Sequence, residues 1–318
     1  MSPSFGTGSH RYELVEGWAK LPEGWSFHDV GGLSVDAKDR VYVFNRSPHP
    51  VMVFDRDGGL VASWGEGDFN RPHGVRVYGE SVYCTDDSNH LVRKFTLQGE
   101  LLMTLGHKDR PSRTGYVEQP DLLASLDTIK RGGPPFNRPT GVALSSAGDI
   151  YVSDGYGNAR VHKFSPGGKL LLSWGEPGRA TGQFRLPHNV WVDKLDHIWV
   201  PDRENSRIQI FDPNGKFLTQ WTDVVRPTDV FIDDAQVVYI PEIGHVAGAG
   251  PRVSLFTVDG RVVTRWGCQP KDHANDLFVS PHAITVDSHG DIYVGEVAFT
   301  HAGIDRGSRV VQKFARKR

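Results

Sequence analysis

Five times along this chain a strand-like segment closes on Trp-Gly or a near relative of it: Ser63-Trp64-Gly65, Thr104-Leu105-Gly106, Ser173-Trp174-Gly175, Gln220-Trp221 and Arg265-Trp266-Gly267. The period is about 40 to 47 residues, lengthened once by an insertion, which is the range of a four-stranded propeller blade. Before each closing segment lies an aromatic-centred strand, marked by Phe54, Phe95, Phe164, Phe211 and Phe256, and a sixth such strand is centred on Phe314. Gly turns follow several of them, as in Asp55-Arg56-Asp57-Gly58 and Asp212-Pro213-Asn214-Gly215. A single blade cannot bury its apolar face alone, so the repeat demands neighbours and constrains the fold strongly.

Six aromatic-centred strands and five closing segments leave one blade incomplete. Leu14-Val15-Glu16-Gly17-Trp18 repeats the closing pattern ahead of the first unit, so a strand at about 12–19 is expected to complete the sixth blade and remove an open sheet edge. The expected architecture is all-β: one six-bladed β-propeller domain over 1–318, with four-stranded antiparallel blades. The 36 Gly and 20 Pro residues suit a chain that turns every few residues. A formal charge of −2 gives no electrostatic footprint for nucleic acid or an anionic membrane. No apolar run reaches a membrane-spanning length, and the first residues lack the parts of a signal peptide, so a cytoplasmic location is expected. Cys84 and Cys268 are read as free thiols rather than a disulfide framework.

Aligned on their closing strands, the units place Gly31, His73, Thr140, His188, Thr228 and His282 at one position, at the start of each blade's first strand. Pro72-His73, Pro187-His188 and Pro281-His282 therefore fall on alternate blades, about 120° apart around a six-bladed ring. Three neutral imidazoles converging with an open fourth position describe a catalytic zinc site, with metal–nitrogen distances of about 2.0 Å. The plainer alternative is that Pro-His merely begins a strand, yet Thr at two of the same positions shows that the fold does not demand His. The second strands end at Asn45, Asp86, Asp154, Asp202, Glu242 and Glu296, and the five carboxylates among them read mainly as braces for backbone amides in adjoining turns. Just beyond them Arg46, Tyr156 and Arg203 sit in loops expected to open on the histidine face. A guanidinium there can hold an anion and a phenol can move a proton.

Ser153-Asp154-Gly155-Tyr156-Gly157-Asn158-Ala159-Arg160 and Pro201-Asp202-Arg203-Glu204-Asn205-Ser206-Arg207, with the three Pro-His steps, resemble the NHL-repeat propellers. More narrowly, they resemble the peptidyl-α-hydroxyglycine α-amidating lyase family and its bacterial relatives, over about Gly31 to Phe314. The resemblance implies that His73, His188 and His282 bind a catalytic zinc or other divalent transition metal, that Tyr156 transfers a proton and that Arg46 supports the reaction. It also implies a channel calcium, but this chain has Ser280 and Ala283 where those lyases carry Met and Asp near the third His; Asp229 is the carboxylate left to serve such an ion. The disulfide pattern of the secreted lyases is absent, so peptide-hormone amidation is not the expected role.

The chemistry implied is C–N cleavage of an α-hydroxy amide, with a hydratase or hydrolase on the same site as the alternative. The 107–136 insertion between blades two and three is long enough to be functional. Its Tyr116, Glu118 and a short helix at Leu122-Leu123-Ala124-Ser125-Leu126 are read as a substrate lid, against the alternative of a segment packed on the propeller rim. Glu242, His245, Glu296, Phe299 and His301 lie in loops of blades five and six that face the same way. Two further readings stand beside the enzyme: a non-catalytic NHL propeller that binds a protein partner, and a calcium-dependent lactonase, for which His and Thr are the wrong ligands.

Overall fold

In the computed structural model, residues 4–246, 248–267 and 277–317 are described. Cys268, expected to be a free thiol, lies outside them; Cys84 is buried and free. The fold is a six-bladed β-propeller of antiparallel sheets, with α-helix confined to Leu122–Leu126 and Ala298–Ala302 among the described residues. The chain forms two compact units, residues 1–68 with 228–318, and residues 69–227.

The 69–227 unit holds three four-stranded sheets. The first runs Pro72–Tyr78, Ser81–Asp86, Leu91–Thr96, Leu101–Gly106, and the second Pro139–Leu144, Ile150–Asp154, Arg160–Phe164, Leu170–Trp174. The third begins with only Trp191–Val192 and continues through Ile198–Asp202, Arg207–Phe211 and Phe217–Trp221. Its first strand is short because the Asn189 side chain accepts the Val190 amide at 2.8 Å, a local bond that competes with the ladder. His188 stays paired nonetheless, its amide donating to Pro201 O at 2.8 Å. Neighbouring blades share cores: Tyr151 and Val161 of one sheet are buried with Ile198 and Phe211 of the next and with Phe184, which lies ahead of its first strand.

The other unit contains the sheets that begin at Val30–Val35, Phe231–Ile232 and Pro281–Val286. The last of these has five strands rather than four. His10–Val15 pairs with Val311–Arg316, setting Leu14 opposite Phe314. Ser4–Thr7 then adds an outer strand on His10–Val15. The closing strand thus falls a little earlier than 12–19, and Trp18, beyond it, is buried beside Phe54 and Tyr293.

Candidate functional site

In each blade that carries a Pro-His step, the acidic residue that ends the second strand braces the strand start beside it. Asp86 accepts the amides of Asn70 and Arg71 at 2.8 and 3.0 Å, directly ahead of Pro72-His73. Asp202 accepts those of Arg185 and Leu186 at 2.9 and 3.1 Å, ahead of Pro187-His188. Glu296 does the same for Val279 and Ser280 at 2.6 and 2.8 Å, ahead of Pro281-His282. Each Pro removes a donor at the next position, so the carboxylate takes the last free amides before the turn into the strand. Burial pushes the carboxyls of Asp202 and Glu296 above their ordinary range, against the pull of their amide and arginine partners.

Within the 69–227 unit this bracing brings His73 and His188 to one phenol. Tyr156 Oη lies 3.3 Å from His73 Nε2 and 3.1 Å from His188 Nε2, with Arg203 Nη1 at 3.5 Å. All four side chains are buried. His73 Nδ1 faces Thr140 O at 2.6 Å. A carbonyl only accepts, so Nδ1 carries the proton and Nε2 presents its lone pair, the tautomer a metal ligand needs. Gly74 makes that approach feasible, since a Cβ there would stand 2.6 Å from the same Thr140 oxygen. In the other unit His282 repeats the device, its Nδ1 facing Gly31 O at 2.9 Å. The carbonyls that fix these tautomers thus belong to the very residues, Thr140 and Gly31, that hold the histidine position in the following blade. His73, His188 and His282 are all buried.

Arg203 is held to its charge by its surroundings. Burial works against the guanidinium, but Tyr156 and Glu204 outweigh it and keep the group above its ordinary value. Glu204 is shared by Arg203 at 2.8 Å and Arg226 at 3.0 Å. Burial opposes its ionisation, and the two arginines hold it below the usual carboxylate range. Arg46, in the other unit, is more constrained than its loop position suggested: Nη1 donates to Thr300 Oγ1 at 2.8 Å and pairs with Asp29 at 3.5 Å. Glu242 is occupied by Arg252 at 2.7 Å. His245 stacks obliquely on His301 with ring centres 5.6 Å apart, and Phe299 lies against His28 at 4.3 Å.

The insertion carries a short helix at the segment read as one. Leu122–Leu126 is a single helical turn capped by Asp121, whose side chain accepts the Ala124 amide at 2.9 Å. Leu126 and Ile129 are buried with Tyr156 and Leu186, and Tyr116 packs on the same cluster. A cleft of about 460 Å³ opens beside it, lined in part by Leu126, Ile129 and Phe184, with Arg179 and Arg185 on its sides. None of its lining residues is a candidate catalytic or metal-binding residue.

Sequence reasoning missed two arginines. Arg71 and Arg138 lie with their guanidinium carbons 5.5 and 5.7 Å from the Tyr156 ring centre, and Arg203 stands at 5.7 Å. Their signal was present: Arg71-Pro72, Arg138-Pro139 and Arg226-Pro227 recur at one step of the repeat, directly before the histidine or threonine position.

The model of the NHL repeat matches residues 136–164 and 184–211. Human NHL repeat-containing protein 3 is 31% identical over 210 residues, which are 61% of this chain and 54% of that protein. The chain therefore spans about half the length of that relative. Peptidyl-alpha-hydroxyglycine alpha-amidating lyase 2 of Drosophila melanogaster is 25% identical over 91% of this chain and 73% of its own. Among solved structures, virginiamycin B lyase from Staphylococcus aureus superposes with a TM-score of 0.56 at 16% identity, covering 90% of this chain and 82% of the other. A streptogramin B lyase structure gives 0.58 at 15%, covering 96% and 88%. The likeness to both structures is one of fold. This chain carries NHL repeats, and its homologues include proteins named amidating lyases.

Proposed function

We propose that this chain is a metal-dependent lyase that cleaves the C–N bond of a small α-hydroxy amide of the carbinolamide type, in which the hydroxyl-bearing carbon is bonded to the amide nitrogen. The observation that carries the reading is the buried Tyr156 hydroxyl, set between two histidine Nε2 atoms and touched by a charged arginine. The names of the lyase relatives support it. His73 and His282 have the tautomer for binding zinc, and His188 is the third ligand of the set. Zinc held there would supply Lewis-acid polarisation of the substrate oxygen.

The chain's own groups account for the proton. The Tyr156 oxygen accepts the proton of the substrate hydroxyl while its own proton passes to the departing nitrogen, so the C–N bond breaks to give a carbonyl compound and an amide with no net change in the tyrosine. Arg203 donates to the oxygen on which negative charge develops, and its burial strengthens that hydrogen bond. Arg46 serves as a second anion-stabilising group, held in place by Asp29 and Thr300. The packing of Leu126 and Ile129 around Tyr156 excludes water from the ring's flank.

The test is turnover of simple N-(α-hydroxyalkyl) amides by zinc-supplemented protein. Wild type is expected to release the amide. Tyr156→Phe is expected to keep its zinc and lose turnover by about 10²- to 10⁴-fold, the usual range for a proton-transfer group. Unchanged turnover in that variant would remove Tyr156 from its role, and absence of turnover across the substrate series would overturn the lyase reading.

A further inference from the structure

Three arginines, Arg71, Arg138 and Arg203, gather near Tyr156, and together with Arg226, which shares Glu204 with Arg203, they outnumber their acidic partners. Asp87 is fully buried and serves two of them: Arg71 Nη1 at 2.7 Å and Arg138 Nη2 at 3.6 Å. Glu204 likewise serves both Arg203 and Arg226. Four guanidiniums thus share two buried carboxylates, a surplus of two positive charges. Glu118 reaches Arg138 at 3.5 Å, but its side chain is 76% exposed and its contribution is screened.

The two groups differ in what they reach. Arg203 touches the Tyr156 hydroxyl, the reacting end of the ring. Arg71 and Arg138 stand beside the ring itself and share Asp87 at a point where Arg71 retains 25% of its side-chain exposure. Arg138 is built into place. Its backbone is left-handed at φ 68° although it precedes Pro139, and its amide donates to His90 Nδ1 at 3.1 Å. Its Nη1 donates to the Tyr116 hydroxyl at 2.9 Å, and its charge is kept above the ordinary value despite burial, chiefly by Asp87 and Tyr116. Left-handed backbone at a non-glycine residue ahead of proline is costly. Two like charges drawn together over one carboxylate add to that cost, and stability alone would be served by a neutral residue.

We propose that Arg71 and Arg138, held by Asp87 beside the Tyr156 ring, form a cationic subsite for a carboxylate that the substrate carries away from its reacting hydroxyl-bearing carbon. Two guanidiniums presented from neighbouring blades match the two oxygens of a planar carboxylate, and lysine would not reproduce the fork. The subsite restricts the proposed lyase to acidic substrates. It rests on that reading only for the identity of the reacting end, because the recognition itself needs no turnover.

The experiment is calorimetric titration of the full chain, supplemented with zinc, using succinate as the probe and succinamide as its neutral counterpart. Wild type is expected to bind succinate and not succinamide. Arg71→Gln and Arg138→Gln are each expected to weaken succinate at least about tenfold, the loss of one charge-assisted pair, with zinc content unchanged. Arg71, which among the described residues pairs with Asp87 rather than with the insertion, keeps the test valid if the Arg138 variant disturbs the insertion. Succinate affinity unchanged in Arg71→Gln, no succinate binding by wild type, or binding lost only when zinc is removed would overturn the subsite. Succinate binding with the expected variant losses, but without turnover of any α-hydroxy amide, would sink the lyase reading and leave the subsite standing.

Discussion

His73 and His282 are ligand-ready because a backbone carbonyl fixes each tautomer, and that detail was invisible in the sequence. The histidines were legible as a register; the carbonyl acceptors were not, since which group faces Nδ1 depends on the strand of the next blade. Arg71 and Arg138 were overlooked for a related reason. A residue ahead of proline is expected to be extended, and only the left-handed backbone of Arg138 turns its side chain back over Tyr156. Two predictions belong at this scale. Arg203→Lys should retain charge yet lose the fork that meets Tyr156 and Glu204 together, lowering kcat at least about tenfold with zinc retained; a kcat equal to wild type would remove Arg203 from the reaction. His90 accepts the Arg138 amide, and burial lowers its pKa below the ordinary histidine value. The unfolded chain therefore binds that proton more readily than the folded one. The His90 contribution is complete above about pH 6.5 and is lost as the pH falls through the lowered folded value. Urea midpoints measured from pH 8 to pH 5 should fall more steeply for wild type than for His90→Gln.

Among the elements, the sheet ends were the most legible feature. Trp64, Trp174 and Trp221 end fourth strands, as do Gly106 and Gly267, because the closing motif combines a large apolar residue with a turn. The second-strand acids were read as braces, and Asp86, Asp202 and Glu296 brace the amides that precede each histidine. Less legible were the two-residue strands Trp191–Val192 and Phe231–Ile232. There Asn189 and Asp229 bond the next backbone amide themselves, an effect that apolar alternation does not report. Asp202 also holds Arg207 at 2.9 Å and Asn205 at 2.7 Å. Asp202→Ala should therefore destabilise the protein by about 3–5 kcal/mol, since it strands a buried guanidinium and frees two amides. Denaturant unfolding checks the stability, and zinc affinity should fall in parallel as the turn ahead of His188 relaxes. A variant as stable as wild type would show that the brace is dispensable.

At the scale of the whole chain, six blades, their antiparallel order and the use of an N-terminal strand to complete the last sheet all followed from counting aromatic strands against closing strands. The fifth strand, Ser4–Thr7, did not, because it pairs outside the repeat. Removing residues 1–16 should expose the edge of Val311–Arg316 and unpair Phe314 from Leu14, giving a less stable and aggregation-prone protein in light scattering and thermal melts. No helix among the described residues is long and apolar enough to cross a membrane. The central claim is that histidines at alternate blades bind one catalytic metal. Its most direct test is the zinc content of purified protein after supplementation and desalting, compared across wild type, His73→Ala, His188→Ala and His282→Ala. The account predicts about one zinc per wild-type chain and loss of that zinc in each variant. A wild type without stoichiometric metal, or variants that retain it, would contradict the account.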